Sequence, residues 1–311
     1  MRFNIFLLLV SSVLFFGCSS SSEVTPADWS SYNHDARGSR HNPVEKHISV
    51  DNIKDLEVKW QFPPKDADFK IGVIHCTPVV VNGHVYFGTA TYGTFYKLKP
   101  NGELASKYHG PRSQGDEGLK VSSGSREGAE KTLLVPVNGI YGTPVVTEDS
   151  VFFGDTEGIA YCLDRKTGKE KWLVDTRSSD FPCGHEANLL MGSPIMAGDD
   201  VVIFAGGALE HSQPAMEGYK CCKGRGFVLA FDAKKGTLLW KYLVGPTPEE
   251  FNPPLKMQTA WGERIFHYGP STSSVWCTPS YDSKSNMVFF GTDVHNSPRK
   301  PTKDDPRNYT E

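Results

Sequence analysis

The clearest copy of a repeating hydrophobic pattern lies between Gly226 and Tyr242, in GFVLAFDAKKGTLLWKY. Phe227, Leu229 and Phe231 alternate with smaller residues, Asp232 to Gly236 carry turn chemistry, and Leu238, Leu239 and Trp240 resume the apolar pattern. A period of two broken by a polar, glycine-bearing turn predicts a β-hairpin. The same phrase occurs as GIAYCLDRKTGKEKWLVD (Gly158 to Asp175) and, more weakly, as GTFYKLKPNGELASKY (Gly93 to Tyr108). The hairpin is therefore one unit of a tandem array.

A second recurring phrase precedes each hairpin: a Thr/Ser-Pro strand followed by an aromatic-rich strand ending in Phe-Gly or Phe-Ala. Its copies are CTPVVVNGHVYFGT (Cys76 to Thr89), GTPVVTEDSVFFGD (Gly142 to Asp155), GSPIMAGDDVVIFAG (Gly192 to Gly206) and CTPSYDSKSNMVFFGT (Cys277 to Thr292). Pairs of hairpins at this spacing predict an all-β propeller, whose blades need about 40 to 50 residues each. The excess falls in three insertions, His109 to Gly139, Ala208 to Gly224 and Gly245 to Ser274. The count is an entry segment, three fairly complete blades and the opening of a fourth. An open array exposes strand edges, so the chain reads as an incomplete propeller resembling the N-terminal half of a longer protein; a truncated gene, the favoured reading, a fragment or a chain completed by another subunit would each explain it.

The N-terminus changes the picture. MRFNIFLLLVSSVLFFGC has one basic residue, Arg2, an apolar run from Ile5 to Phe16, then Gly17 and Cys18. The run is short for a membrane span and has the anatomy of an export signal. With Ser19 to Ser22 following, it resembles a bacterial lipoprotein box. Residues 1–17 are expected to be a signal peptide, 18–28 a polar tether beginning at lipidated Cys18, and 29–311 the partial propeller, in the periplasm or at the outer membrane. An ordinary signal peptide or an uncleaved anchor would export the chain equally.

Composition adds exclusions. At 311 residues, 38% hydrophobic and net charge −3, the chain can bury a sizeable core and has no basic excess for nucleic acid. Of seven cysteines, Cys221 and Cys222 are adjacent, shortly after Glu210. Neighbouring thiols can close a small strained ring across their own peptide bond or stand free. Export to an oxidising compartment favours the bond. The pairing of Cys76, Cys162, Cys183 and Cys277 cannot be read from spacing. His34, His41, His47 and His185 lack zinc-like spacing and read as loop histidines.

These motifs resemble the quinoprotein dehydrogenases. The entry segment Asp28 to Phe62 carries a Trp-x-x-Tyr phrase (Trp29, Tyr32), Arg40 with Asn42 and Pro43, and an Asn-x-x-x-Leu-x-x-x-Trp strand (Asn52, Leu56, Trp60). The central stretch, with Tyr219, Cys221, Cys222, Arg225, Gly226, Asp232, Gly236 and Trp240, is similar to the polyvinyl-alcohol dehydrogenase branch. Gly269 to Asp293 resembles the signature that follows it. The resemblance runs from Trp29 to about Asp293.

The resemblance implies pyrroloquinoline quinone (PQQ) and calcium as cofactors, alcohols as substrates and a cytochrome c as electron acceptor. It places Trp276 as the quinone's floor, an indole face suiting a planar ring, with Cys221 and Cys222 as a disulfide ceiling and Arg225 among the cofactor contacts. Glu210 becomes the calcium ligand, a hard cation preferring oxygen donors. Trp276 could equally be a packed blade residue like Trp172 and Trp240, and Glu210 a solvated loop acid. At GTDVHN the chain has Asp293 and Val294 where relatives place Gly-Asn, so Asp293 or Asn296 would have to replace the asparagine ligand. The family's catalytic Asp belongs to a later blade, and no base can be named here. A non-catalytic lipoprotein propeller that binds other proteins is the alternative; it needs neither the cysteine pair, Glu210 nor Trp276.

Overall fold

The computed structural model describes residues 24–25, 27–113, 139–208, 210, 224–245, 255–259, 262–266 and 273–293. Each predicted blade forms. The first is an antiparallel sheet of β1 (Val79–Val81), β2 (His84–Gly88), β3 (Thr94–Leu98) and β4 (Leu104–His109). The second has β5 (Val145–Val146), β6 (Ser150–Gly154), β7 (Ile159–Asp164) and β8 (Glu170–Asp175). In the third, β9 (Asn188–Leu189) pairs with the end of β11 (Val201–Ala208), which lies between β10 (Ile195–Ala197) and β12 (Phe227–Asp232), with β13 (Leu238–Leu243) outermost. After the separate hairpin β14 (Leu255–Thr259) and β15 (Gly262–Phe266), β16 (Ser280–Asp282) and β17 (Met287–Phe289) open the fourth blade.

The repeat is exact down to its irregularities. Each outer hairpin shifts register one residue before its turn, at Lys97/Leu98, Cys162/Leu163 and Ala230/Phe231. The inner strands of neighbouring blades lie side by side, β1 by β5 and β10 by β16. Middle strands are buried on both faces. On β7, Ile159, Tyr161 and Leu163 pack with Val79, Tyr86 and Phe95 of the first blade. The alternate residues Ala160 and Cys162 pack with Phe204, Phe227 and Leu229 of the third. Two covered faces explain why these strands read as apolar runs rather than clean alternation.

The entry segment ties the blades together from below. Trp29 and Val80 exchange backbone hydrogen bonds of 2.9 Å, Val146 N–H donates to Ser30 O at 2.8 Å, and Tyr281 N–H donates to Ala36 O at 2.9 Å. Residues 29–36 thus touch the inner strands of the first, second and fourth blades. His34 lies in a bend of the entry segment, as a loop histidine, with its ring nitrogens buried and its ring 5.2 Å from that of Trp29. The strand expected around Trp60 has no ladder: a 3-10 turn covers Ile53–Asp55, and the chain after it is extended without partners in a sheet. Among the described residues no helix is long and apolar enough to cross a membrane.

Candidate functional site

In each antiparallel blade the start of the inner strand, the end of the second strand, the start of the third and the end of the fourth share one end of the sheet. Glu210 follows β11 and Gly224–Gly226 precede β12, so both lie at that end. Trp276, ahead of β16, lies there too. Segment 273–275 runs beside β11, with Ser274 Oγ donating to Ala208 O at 3.3 Å and Val275 N–H to Gly206 O at 3.0 Å.

Glu210 is not a solvated acid. It is 1% exposed, accepts the Gly224 N–H at 2.6 Å through Oε2, and its Oε1 lies 3.7 Å from His185 Nε2. The approach demands glycine, since a Cβ at 224 would come within 2.5 Å of Oε2. His185 is 25 positions from Glu210 in sequence by residue number, and the β9–β11 pairing of Asn188 with Ala208 brings them together. Its loop is pinned: Asn188 Nδ2 donates to Thr176 O and Cys183 O, and Arg177 bridges Asn188 O and the Glu157 carboxylate. Sequence reading set His185 aside because its partner becomes visible only through this strand pairing.

Trp276 occupies the place two residues before the Thr/Ser of its Thr/Ser-Pro phrase. The same place holds His75, Tyr141 and Met191 in the other blades. At two of these, His75 and Tyr141 stack with centroids 4.7 Å apart and planes 22° from parallel. Trp276 is half-buried, and its Nε1 is buried without a hydrogen-bond partner among the described residues. Such an unpaired donor costs about 1–3 kcal/mol.

Arg225 donates to the carbonyls of Leu243, Val244 and Gly245, clamping the end of β13 to the start of β12. Burial lowers its pKa from the usual guanidinium range. Asp293 is exposed and donates its backbone N–H to Ser274 O at 2.9 Å. Cys18, Cys221, Cys222 and Asn296 lie outside the described residues. Cys76, Cys162, Cys183 and Cys277 are all free thiols. Cys76 and Cys277 hold equivalent positions, each thiol exchanging hydrogen bonds with the backbone of a glycine, Gly88 and Gly291 respectively.

The family model for the PQQ β-propeller domain of glucose, ethanol and alcohol dehydrogenases matches residues 29–101 and 184–299. The chain belongs to that family. The dehydrogenase subunit of a quinone-dependent alcohol dehydrogenase from Gluconobacter oxydans is 28% identical over 290 residues, covering 88% of this chain and 33% of the relative. A polyvinylalcohol dehydrogenase from Sphingopyxis is 28% identical over 282 residues, covering 88% and 37%. The solved quinohemoprotein alcohol dehydrogenase of Comamonas testosteroni superposes with a TM-score of 0.58 at 19% identity, over 90% of this chain and 37% of that one. The last likeness carries the fold. This quinoprotein propeller spans about a third of the length of the relatives it matches.

The site's residues fit part of what the family binds. An indole at the head of an inner strand, in register with a stacked aromatic pair, suits a flat quinone. Glu210 offers one buried carboxylate. Among the described residues no group of three or more His, Cys, Asp or Glu gathers as a metal site.

Proposed function

We propose that this chain is part of an exported quinoprotein that oxidises alcohols, with PQQ resting on Trp276. The carrying observation is Trp276 itself, half-buried at the head of β16 with an unpartnered Nε1. Family membership supports the quinone. Bound PQQ supplies a two-electron acceptor for the alcohol. Trp276 would fix the plane of the ring, Cys221 and Cys222 would cover its other face, and Glu210 would hold a calcium ion from the side of His185. Glycine at 224 keeps that carboxylate in place by letting the backbone N–H reach it. The remaining metal ligands and the base that takes the alcohol proton are not assigned, and no step is drawn through the metal. A cytochrome c is the proposed electron acceptor. Secondary or polymeric alcohols are the proposed substrates, because the cysteine pair follows Glu210 as in the polyvinyl-alcohol branch.

The arc of blades contacts a quinone on the axis from one side. The isolated chain with calcium is therefore expected to bind PQQ weakly, to show partial quenching of tryptophan fluorescence, and to give no dye-linked alcohol oxidation. Trp276→Leu should remove the quenching; quenching that survives this change would sink the reading. Export is tested separately. A palmitate analogue should label the wild type and not Cys18→Ala, and equal labelling of both would exclude the lipid anchor.

A further inference from the structure

The imidazole of His185 is oriented by its own loop. Ala187 N–H donates to Nδ1 at 3.1 Å, and Asn188 N–H donates to the His185 carbonyl at 2.9 Å. A neutral imidazole that accepts at Nδ1 carries its proton on Nε2. That Nε2 lies 3.7 Å from Glu210 Oε1, with 18% of the histidine side chain and 1% of the glutamate side chain exposed. An N–H donor therefore faces an acid in a place almost closed to water.

The loop that carries the ring is built on the end of the second blade. Thr176 N–H donates to Gly158 O at 2.9 Å, Phe181 N–H to Ser178 O at 3.0 Å, and Gly184 N–H to Phe181 O at 2.8 Å. Gly184 approaches Ser178 so closely that a Cβ there would lie 1.9 Å from its carbonyl oxygen. The β9–β11 ladder pairs Gly207 with Leu189 and Ala208 with Asn188. Carried on by two residues, that register sets Glu210 opposite Glu186, next to His185. The acid is thus reached from two separate backbones: the third blade supplies the Gly224 N–H, 2.6 Å from Oε2, and the second-blade loop supplies His185 beside Oε1.

Resting on the reading of Glu210 as a cation ligand, we propose that His185 is the positioning residue of that carboxylate. Its Nε2–H holds Oε1 while the Gly224 N–H holds Oε2, so the group meets a cation in one orientation. A carboxylate accepts at about four lone-pair sites, and two donors do not exhaust it. At 3.7 Å the histidine contact is longer than an N–H···O bond. It acts as an oriented N–H dipole beside a charge, where the low local dielectric strengthens the attraction. Direct ligation by His185 is the poorer account, because Nε2 would have to give up its proton and Nδ1 the Ala187 bond with it. Partners that orient a metal's ligands in this way are worth about 10- to 100-fold in metal affinity.

The test titrates the full chain with terbium(III), an oxygen-seeking stand-in for calcium whose luminescence is sensitised by the protein's aromatic residues. Wild type, His185→Ala, His185→Gln and Glu210→Gln are compared. Glutamine keeps a terminal N–H donor at position 185 and alanine does not. His185→Ala should bind about 10-fold more weakly or worse, His185→Gln should keep most of the affinity, and Glu210→Gln should lose the site. Terbium that binds the wild type no better than Glu210→Gln overturns the reading of Glu210 as a ligand, and the proposal with it. Loss in Glu210→Gln with no change in His185→Ala overturns the proposal alone. An equal fall in the alanine and glutamine variants does the same, since it would mark the ring as packing or as a ligand itself. Tighter binding by His185→Ala also overturns it. The tautomer is read independently from long-range proton–nitrogen correlation spectra of histidine-labelled protein in alkaline buffer, the His185 signals being identified by their loss in His185→Gln. They should show the proton on Nε2, and a proton on Nδ1 overturns the proposal whatever the affinities.

Discussion

The backbone N–H of Thr143 donates to Ser193 Oγ at 2.9 Å, across the boundary between the second and third blades. Thr77 N–H makes the same bond to Thr143 Oγ1 at 2.8 Å, and Ser193 N–H to Thr278 Oγ1 at 3.3 Å. The hydroxyl of the second, third and fourth Thr/Ser-Pro phrases is therefore the acceptor for the blade before it. Proline follows because the inner strand leaves this position extended.

Ser193→Ala would strand the Thr143 N–H, on a residue 1% exposed. An unsatisfied buried donor costs about 1–3 kcal/mol. Urea unfolding should show a loss of that order, and Ser193→Thr, which keeps the hydroxyl found in the other three blades, should retain most of the stability. Equal losses for both would mean that packing, and not the hydrogen bond, decides.

Glycine at the hairpin turns serves two purposes that can be separated. Gly236 has φ +69° and a Cβ there would meet the Trp172 ring, whereas Gly198 has φ +71° and nothing within 4 Å. Gly198→Ala should cost roughly 1 kcal/mol from the left-handed backbone alone. Gly236→Ala should cost about 1–3 kcal/mol more, the range of an overpacked core. Similar midpoints for the two variants would show that the indole yields without cost.

The blades were legible because their signals are local. A Thr/Ser-Pro start, a Phe-Gly end and a turn glycine fix every strand from β1 to β8, β10 to β13, and β16 with β17. Local pattern failed where structure depends on distant partners. β14 and β15 sit inside the insertion Gly245 to Ser274, with no phrase copied from the repeat. The stretch near Trp60, which the resemblance implies to be a strand, finds no ladder and contributes through its indole. Of the site, Trp276 and Glu210 stood out by resemblance, while His185 and the stacked His75–Tyr141 pair did not. His185 needs the β9–β11 pairing to reach Glu210, and His75 with Tyr141 becomes a pair only when inner strands are set side by side.

The free thiols predict an order of reactivity and bear on the adjacent cysteines. Burial pushes the Cys76 thiol up to about 11 and the Cys162 thiol up to about 12, while Cys277 is exposed. Thiolate is the reactive form, so brief alkylation of protein made in an oxidising compartment should label Cys277 first and spare Cys76 and Cys162. Non-reduced peptides covering Tyr219 to Arg225 should be two hydrogens lighter than the reduced form. A crosslink from Cys221 or Cys222 to Cys183 or Cys277 would remove the ceiling role.

Asp155 gives the last prediction, because its burial runs against its charge. Oδ1 accepts the N–H groups of Glu157 and Ile159 at 3.0 and 2.9 Å, and Oδ2 accepts the Tyr161 hydroxyl at 2.7 Å. Desolvation nonetheless dominates, raising its pKa from 3.8 to about 6 against those bonds. A carboxyl whose folded pKa is raised takes its proton in the native state first. Its contribution therefore opposes folding above about pH 6 and fades as pH falls towards 4, a span of about 3 kcal/mol by linkage. Asparagine can keep both N–H acceptor contacts through its Oδ1 and donate to the Tyr161 oxygen through Nδ2. Asp155→Asn should then be at least as stable as the wild type at pH 8 and lose about half of the pH-dependent gain by pH 5. Urea midpoints for both proteins at pH 5, 6, 7 and 8 measure the difference directly. A gap that stays constant across the series would show that Asp155 is held ionised by its three donors throughout.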